Sequence, residues 1–455
     1  AFTTSSLQQE AWQKLHFSTK FTMSLAQKLY EQGSITYHRT DSLNLSEESL
    51  NLARDYIVKN VGAEFWPGFS RRYKTKSKSA QEAHEAIRPT DPFRDPPSIA
   101  VDISLRVIAL AKEGQSEAAH KLYGLIWSRF LASQMSEAIF DSTRAEIKAG
   151  DCLFEAKGQI LKFPGFLKVY AAAFEENELP ELTPEENLKL LDLLTAQHFT
   201  QPPSRYSEAT LVKALEKFGI GRPSTYAPIL ETIQLRGYIQ KDEKKFFFPT
   251  EIGNLVNNLL SQHFPQIVDT GFTAKVEEDL DRVSSGKKEW VPLIGEFYGP
   301  FAENLKAKEK EVSKKEIMEE FSRLNDSGEK KDCELCGAPM VLKISRFGKF
   351  YACSKYPECK YAQHVNVSLG VKCPKCPSAD GQDKKGEMVE RRTKKRKIFY
   401  GCSLWPKCDF ALWDKPTGEI CPNCQGLIVK TKWRKEKCSN KDCPTNQKAD
   451  APTSA

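Results

Sequence analysis

Apolar and polar residues alternate with a helical period in several separate stretches of the chain. The pattern predicts a helix over residues 19–32 that ends at Gly33, because glycine readily takes the left-handed conformation that stops a helix. A strand is predicted to follow over residues 35–37. Residues 46–57 predict a second helix with an acidic first turn, and residues 115–135 a third that is rich in apolar side chains.

Further along, two alternating stretches over residues 141–149 and 152–161 predict paired strands and a small β-rich domain. Cys152 lies in this region and is predicted to be a small buried apolar residue.

The clearest fold signal outside the cysteines spans residues 207–260. Two helices are predicted on either side of the turn Gly219–Pro223, and two short strands flanking a charged hairpin follow them. This order is typical of a winged helix, which often binds DNA. A helical domain without nucleic-acid contact is the alternative.

Length and composition describe an ordinary multidomain chain. The 455 residues are enough for three or more domains, and 40% of them are hydrophobic. The net charge of +7 is compatible with a polyanionic partner but does not establish one. No apolar run approaches the ~20 residues that would span a bilayer, so no membrane partner is predicted. The chain starts at Ala1 within amphipathic, Gln-rich sequence, which suggests a truncated start.

Twelve of the 13 cysteines follow residue 332 and fall into three sets of four, each opening with Cys-x-x-Cys. Such pairs, closed by a second pair, are typical of tetrahedral zinc sites, and four sulfurs leave no open position for catalysis. We therefore predict three structural Zn²⁺ sites, with iron–sulfur ligation as the alternative. The predicted ligands are Cys333, Cys336, Cys353 and Cys359; Cys373, Cys376, Cys402 and Cys408; and Cys421, Cys424, Cys438 and Cys443.

Aromatic residues alternate with lysine and arginine between these cysteine pairs, notably Phe350, Tyr351, Tyr400 and Trp405. Bases of single-stranded DNA stack on aromatic rings while cations follow the phosphates. These four residues are therefore predicted to bind DNA. The alternative is that they only cover the zinc sites of very small cores.

The segment Gly33–Ser42 places Tyr37 two residues from Arg39. A phenol with a pKa of ~10 is a weak nucleophile at neutral pH, and a nearby arginine can hold a phosphate against it and stabilise the charge that develops. An ordinary strand with a surface arginine would give the same spacing.

The amino-acid sequences of three segments resemble motifs of one family, the type IA DNA topoisomerases. Tyr37–Ser42 resembles its active-site motif, Gln81–Thr90 resembles its Ala-His-Glu-Ala-Ile-Arg-Pro segment, and Tyr206–Ala227 resembles its second DNA-binding helical domain. Tetracysteine ribbons at the carboxyl end are typical of the bacterial topoisomerase I branch.

The resemblance implies an ATP-independent isomerase that relaxes negatively supercoiled DNA. Tyr37 would cut one strand as a 5′-phosphotyrosine, Arg39 would hold the scissile phosphate, and His84 would bond the phosphate or an acidic neighbour. Strand passage and religation would complete the cycle. The DNA contacts implied or predicted outside the ribbons are Arg39, Lys74, Lys76, Arg88, Arg222, Ser224 and Thr225.

One departure from the family concerns its toprim domain, whose acidic cluster binds Mg²⁺ ahead of the tyrosine. The nearest cluster here, Glu277–Asp281, follows the winged helix and is interpreted as surface charge. Mg²⁺ and the acid for the leaving oxygen are thus expected in a missing amino-terminal half, and the chain alone is expected to be inactive. Alternatives are a topoisomerase III or reverse gyrase fragment, or a non-catalytic zinc-ribbon protein that binds single-stranded DNA.

The predicted fold is multidomain α+β, with winged-helix-like domains around the tyrosine, a β-rich arch or hinge, and three zinc ribbons. A monomer in the cytoplasm, associated with the nucleoid, is expected, and RNA polymerase is a further candidate partner. The predicted domains are 1–114 (tyrosine domain), 115–190 (arch), 191–302 (second winged-helix-like domain), 303–332 (charged linker), 333–366, 371–415 and 419–445 (ribbons), and 446–455 (disordered tail).

Overall fold

The computed structural model describes most of the chain, and the architecture is of mixed helices and sheets. It describes residues 1–74, 84–96, 113–171, 174–313, 331–345, 348–364, 367–376, 386–393, 398–405, 407–431 and 436–447. The chain divides into two compact units, Ala1–Ala302 and Glu303–Ala455. Within the described residues, no helix is both long and apolar enough to cross a membrane.

Four helices build the first part of unit 1: α1 (Thr4–Leu15), α2 (Thr19–Glu31), α3 (Glu47–Tyr56) and α4 (Glu113–Ala132). The apolar faces of α1, α2 and α4 share one cluster in which Leu7, Leu25 and Leu122 are fully buried. A second cluster joins the end of α3, which continues as a π-helical turn over Ile57–Val61, to the end of α4. Removing these side chains from water is the main force that holds the four helices together.

The predicted helix over 19–32 is confirmed, whereas the predicted strand over 35–37 is wrong. Gly33 has φ +70, and the amide of Ser34 donates to the Leu29 carbonyl (2.9 Å), so the helix ends where expected. Beyond it the backbone forms only an isolated bridge from Ile35 to Pro89. A strand needs several consecutive pairs with a neighbour. Among the described residues, the segment that contains Pro89 forms such a pair with Ile35 alone.

A long antiparallel hairpin follows, made of β1 (Ile139–Ala149) and β2 (Cys152–Phe163). The prediction that Cys152 is buried is wrong, since it is exposed beside the turn of this hairpin. The physical reason is that, in the described part of the chain, no second layer covers this end of the hairpin, where Leu153 and Phe154 are also exposed. Residues 178–206 then run without helix or strand.

The second helical domain has the predicted winged-helix order. Helices α5 (Glu208–Lys217) and α6 (Tyr226–Leu235) precede the hairpin β3 (Ile239–Lys241) and β4 (Phe247–Pro249). Val212, Leu230 and Phe247 form its core. Further helices follow in the described chain: α7 (Glu251–His263), α8 (Pro265–Val268), α9 (Thr270–Ser284) and α10 (Trp290–Glu311). The last of them, α10, continues past the end of unit 1.

The described residues of unit 2 form three small antiparallel sheets. The first holds β5 (Met340–Ser345), β6 (Gly348–Cys353) and β7 (Ala362–His364). The second holds β8 (Val367–Lys372), β9 (Glu387–Arg392), β10 (Ile398–Cys402) and β11 (Ala411–Leu412). The third holds β12 (Lys415–Ile420), β13 (Leu427–Lys430) and β14 (Glu436–Cys438).

The predicted disordered tail, residues 446–455, is corrected at its start. Residues Pro444–Gln447 form a short helix, α11, because the Asn446 side chain bonds both the amide and the carbonyl of Cys438 (3.0 and 3.1 Å). Residues 448–455 lie outside the described residues.

Candidate active site and zinc centres

Backbone contacts on both sides of Tyr37 fix its position. Before it, the amide of Thr36 donates to the Arg88 carbonyl (2.9 Å) and the Thr36 hydroxyl donates to the Ala86 carbonyl (2.8 Å). After it, the Thr4 hydroxyl donates to the His38 carbonyl (2.9 Å). An irregular segment is thus held rigidly between the start of α1 and residues 86–88, which suits a group that must be positioned accurately.

The Tyr37 side chain faces solvent and is flanked by other aromatic rings. It is 42% exposed, and its ring lies edge-on to Tyr30 and His38 (both 5.3 Å between centroids) and 6.2 Å from His84. Edge-to-ring contacts of this kind restrict a ring without enclosing its hydroxyl. The side chain is therefore accessible to a ligand as large as a nucleic acid.

His38 is buried beneath this surface. It is 1% exposed, and neither ring nitrogen has a hydrogen-bond partner among the described residues. Burial, helped by the charge of Arg39 and opposed by Glu31, lowers the pKa of His38 to about 4. The imidazole is consequently neutral near pH 7, so Arg39 supplies positive charge beside Tyr37 and His38 does not.

The surface around the Tyr37 ring, called the opening below, includes Arg39 and Asp41 from the same segment and His84 beside the ring. Arg39 is exposed, as a residue that meets a phosphate should be, and His84 is half-buried. The pKa of Asp41 is raised because burial outweighs the attraction of Arg222 and His84. The structure thus brings together Tyr37, Arg39 and His84, and adds Asp41.

Arg222 reaches this opening from the second helical domain. Its guanidinium donates to the Gly221 carbonyl (2.8 Å) and to Asp281 Oδ2 (2.6 Å), and lies 3.6 Å from Glu277 Oε2. These carboxylates raise its pKa although burial alone would lower it. The interpretation of Glu277–Asp281 as surface charge is therefore wrong, because two of its carboxylates orient an arginine and Asp279 is buried.

Ser224 and Thr225 form the turn that presents Arg222. Both are exposed, and the Thr225 hydroxyl accepts from the Arg222 amide (2.8 Å). Gly221 has φ +82, and a Cβ there would lie 3.0 Å from the Thr225 hydroxyl, so glycine is needed at this position.

Arg88 lies inward from the opening. Its side chain is 13% exposed and donates to Glu85 Oε2 (2.7 Å) and the Pro89 carbonyl (3.0 Å). Burial alone would raise the pKa of Glu85, but the Arg88 contact lowers it overall. Glu85 also accepts from the Ser46 amide (2.6 Å) at the start of α3, so Arg88 supports the fold, and its contact with DNA stays a prediction.

Lys74 and Lys76 belong to a basic loop that the sequence predicts over residues 71–78. Lys74 is exposed, and Lys76 lies outside the described residues. Arg72 forms an ion pair with Glu47, and the Tyr73 hydroxyl donates to the Ser133 carbonyl (2.8 Å). The start of the loop is therefore anchored to the helices.

Three tetracysteine groups confirm the predicted zinc sites. Within each group all sulfurs lie within 4.8 Å of one another. Pairs closing the sites are 3.6 and 3.4 Å apart in the first, 3.8 and 3.4 Å in the second, and 3.6 and 3.2 Å in the third. Sulfurs bound to zinc at about 2.3 Å would be separated by about 3.8 Å in a tetrahedron, so the groups fit this metal.

The aromatic residues of the ribbons differ in accessibility. Phe350, Tyr351 and Tyr400 are half-buried, with the Lys331 ammonium 4.9 Å from the Tyr351 ring, whereas Trp405 is 61% exposed. The Arg391 guanidinium lies 5.6 Å from the Trp405 ring. Trp405 thus offers the most open stacking surface of the four.

Sequence reasoning missed two parts of these sites. Asp41 could have been found, since it lies within the Tyr37–Ser42 motif. A cleft of about 220 Å³ lined by Phe399 and Trp413 in the second ribbon depends on strand pairing between residues distant in sequence, which no local pattern reveals.

Comparisons with known proteins agree with this arrangement. A family described as DNA topoisomerase matches residues 1–294, and a family described as topoisomerase DNA binding C4 zinc finger matches residues 330–367 and 370–417. The full-length topoisomerase I of Thermotoga maritima is a similar solved structure, at 31% sequence identity and a TM-score of 0.55. The match covers 80% of this chain and 56% of that one, so this chain spans little more than half its length.

The chain belongs to the DNA topoisomerase family, since that family's match covers well over half of its residues. The likeness to topoisomerase I and the C4 zinc fingers place it in the bacterial, type IA branch.

Proposed function

We propose that this chain supplies the strand-cutting tyrosine of a type IA topoisomerase that relaxes negatively supercoiled DNA without ATP. The observation that carries the proposal is the exposed Tyr37 side chain two residues from exposed Arg39, with backbone hydrogen bonds on both sides of Tyr37. His84 and Arg222 flank the same opening.

In the proposed reaction, the Tyr37 hydroxyl releases its proton to solvent as its oxygen attacks a phosphodiester phosphorus and forms a P–O bond on the 5′ side of the cut. The P–O bond to the 3′ carbon's oxygen breaks, and that oxygen leaves as a 3′ hydroxyl once it takes up a proton. One phosphodiester replaces another, so the reverse attack reseals the strand. Arg39 would stabilise the negative charge on the phosphate during both steps.

Magnesium, which family membership implies for religation, has no matching site in the described part of the chain. There, the groups of three or more cysteine, histidine or acidic donors that could hold a metal are the three tetracysteine sets. Magnesium prefers oxygen ligands, so these sets do not suit it. We propose that the proton for the leaving oxygen and any Mg²⁺ come from residues outside this chain.

We further propose that the three ribbons bind single-stranded DNA near the site of cleavage. Trp405 and Tyr351 would stack on bases, and zinc would hold each sheet together. A monomer that works at the nucleoid, with RNA polymerase as a second partner of the ribbons, completes the proposal.

The test is covalent capture on an activated strand. A single-stranded oligonucleotide with one 3′-S-phosphorothiolate linkage has a thiolate leaving group, which needs little help from an acid. The label is placed at the 3′ end, since a 5′-phosphotyrosine retains that fragment. We expect labelled protein after denaturation in SDS, and none with Tyr37→Phe.

Tyr30→Phe is the matched control, since Tyr30 is 40% exposed and its ring adjoins that of Tyr37. It should give a labelled band like the unaltered chain. Label from the 5′ end on the protein, or a band that survives Tyr37→Phe, would overturn the proposed chemistry.

A further inference from the structure

The three zinc ribbons repeat one set of backbone hydrogen bonds, so their residues can be compared position by position. In each ribbon the amide of the first cysteine donates to a carbonyl shortly before the next strand: Cys333 to Ala338 (2.8 Å), Cys373 to Gly386 (2.7 Å) and Cys421 to Gly426 (2.7 Å). The residue after the third cysteine, a serine in each ribbon, donates to the carbonyl that follows. Position 338 in the first ribbon therefore corresponds to positions 386 and 426 in the others.

Glycine at these positions lets the backbone cover the sulfurs of the second and third ribbons. A Cβ on Gly386 would lie 2.5 Å from Cys402 Sγ and 3.2 Å from Cys376 Sγ. A Cβ on Gly426 would lie 3.3 Å from Cys424 Sγ. The chain thus passes directly against the second cysteine of each of these ribbons and shields its sulfur from solvent.

The first ribbon has Ala338 at the same place, and its second cysteine is open to solvent. The structure describes all twelve zinc ligands, and among them Cys336 alone is exposed. Its counterparts are less accessible, since Cys376 is buried and Cys424 is half-buried. Leu335 beside Cys336 is 73% exposed, so the whole tip of this Cys-x-x-Cys turn faces solvent.

Cys336 also has a buried partner within reach. Its sulfur lies 3.4 Å from the sulfur of Cys353, which is fully buried. Cysteines that bind zinc are thiolates, the form of the side chain that reacts with peroxides. An exposed thiolate meets an oxidant first, and a second thiolate at contact distance can then complete a disulfide.

We propose that the first ribbon is a peroxide-sensitive zinc site, in which Cys336 is oxidised first and forms a disulfide with Cys353. The Cys336 sulfur attacks one oxygen of hydrogen peroxide, the O–O bond breaks, and the departing hydroxide takes up a proton to become water. The Cys353 sulfur then attacks the Cys336 sulfenic acid, the S–S bond forms, and the S–O bond breaks to give a second water. Two electrons pass from the two sulfurs to the peroxide, and Zn²⁺ leaves because it has lost two of its four thiolate ligands.

Loss of this zinc unfolds the first ribbon and spares the other two. The buried cluster of the first ribbon has three members, and two of them are zinc ligands, so little apolar burial remains without the metal. The cluster of the second ribbon also contains Val371, Met388 and, from the third ribbon, Leu427. A thiol reductant with added Zn²⁺ reverses the change, and the change does not depend on whether Tyr37 cuts DNA.

The test follows zinc release during exposure to hydrogen peroxide. The zinc-loaded chain carries Cys152→Ser, which removes an exposed cysteine outside the ribbons. A chromogenic chelator reports the free metal. We expect one of the three zinc ions to leave at least about tenfold faster than the other two, because exposure controls the rate at which thiolates are oxidised. Dithiothreitol and added Zn²⁺ should restore the full zinc content.

Mass spectrometry then locates the oxidised pair. After denaturation and alkylation of the remaining thiols, trypsin should leave residues 332–343 joined to residues 350–355 by a disulfide. Tandem spectra should place the bond between Cys336 and Cys353. At the same time point, the cysteines of the second and third ribbons should be alkylated.

The control is the same chain kept without peroxide, which should retain all three zinc ions over the same period. Zinc loss without peroxide, loss of the three ions at a single rate, a first loss from the second or third ribbon, or a first disulfide other than that between Cys336 and Cys353 would each overturn the proposal. The measurement uses neither DNA nor Tyr37, so its failure and the failure of the capture experiment are independent.

Discussion

At the scale of single residues, burial separates side chains that the sequence presents as equals. Tyr37 and Arg39 are exposed while His38 between them is buried, although the three are consecutive. The motif predicts which residues matter for chemistry. It does not predict which way each points, because that depends on bonds from Thr4 and Thr36 to distant backbone.

His38 should make the fold sensitive to acid. Its pKa is about 4 in the folded chain against about 6.5 when unfolded, so the unfolded chain binds the extra proton between these values. The contribution of neutral His38 to the free energy of unfolding is therefore complete above pH ~6.5. It is lost as the pH is lowered toward ~4, by about 3 kcal/mol. Urea unfolding followed by tryptophan fluorescence should show this loss.

His38→Met is the matched variant, since it fills a similar volume without a titrating group. Its free energy of unfolding should fall less between about pH 7 and pH 4.5 than that of the unaltered chain. Parallel curves for the two proteins would contradict the buried, neutral imidazole.

Arg88 should matter for stability more than for DNA. Arg88→Ala leaves Glu85 without its cationic partner, and we expect a loss of about 2 kcal/mol in the free energy of unfolding. Arg54→Ala is the control, since the Arg54 side chain is 46% exposed and pairs with its neighbour Asp55 (2.8 Å). Oligonucleotide affinity, measured by fluorescence anisotropy, should be unchanged in both. Weaker binding by Arg88→Ala at unchanged stability would instead support the contact predicted from sequence.

At the scale of elements, the local sequence pattern predicts the helices and the zinc ribbons. It does not predict the conformation of the segment that contains Tyr37. Ser46, Ser207 and Gly33 mark helix ends that the structure retains. The cysteine spacing predicted all three zinc sites. The irregular segment after Gly33 was mistaken for a strand because strand formation depends on a partner far along the chain.

Zinc should hold the ribbons folded. Each sheet has so few buried apolar side chains that metal binding must supply much of its folding free energy. A chelator should release three zinc ions and abolish amide protection in β5–β14 while sparing unit 1. Cys353→Ser should lower the bound zinc from three to two, whereas Cys152→Ser should leave three, as elemental analysis would show. Equal zinc content in both variants would contradict the assignment.

At the scale of the whole molecule, the chain joins a tyrosine site to a set of ribbons that carry exposed aromatics. The sequence predicted these parts and their order, and family comparison agrees with that order. The sequence pattern does not predict that the carboxylates of Glu277 and Asp281 hold Arg222, because both residues lie more than fifty positions from Arg222 in the chain.

Binding to single-stranded DNA should combine stacking with salt-dependent attraction. Trp405→Ala should weaken binding by about 1–3 kcal/mol at every salt concentration and leave the salt dependence unchanged, because it removes stacking and no charge. Trp290→Ala is the control, since Trp290 is equally exposed at 61% but lies outside the ribbons. Equal loss in the two variants would count against the ribbons as the stacking surface.

The most direct test of the central claim is to locate the DNA phosphate on the protein. After capture with the activated oligonucleotide, nuclease and trypsin digestion should leave a modified peptide spanning residues 29–39, which contains both Tyr30 and Tyr37. Tandem mass spectrometry is expected to place the phosphate on Tyr37. A phosphate on Tyr30 or another residue, or no adduct from a chain that still binds the oligonucleotide, would contradict the account.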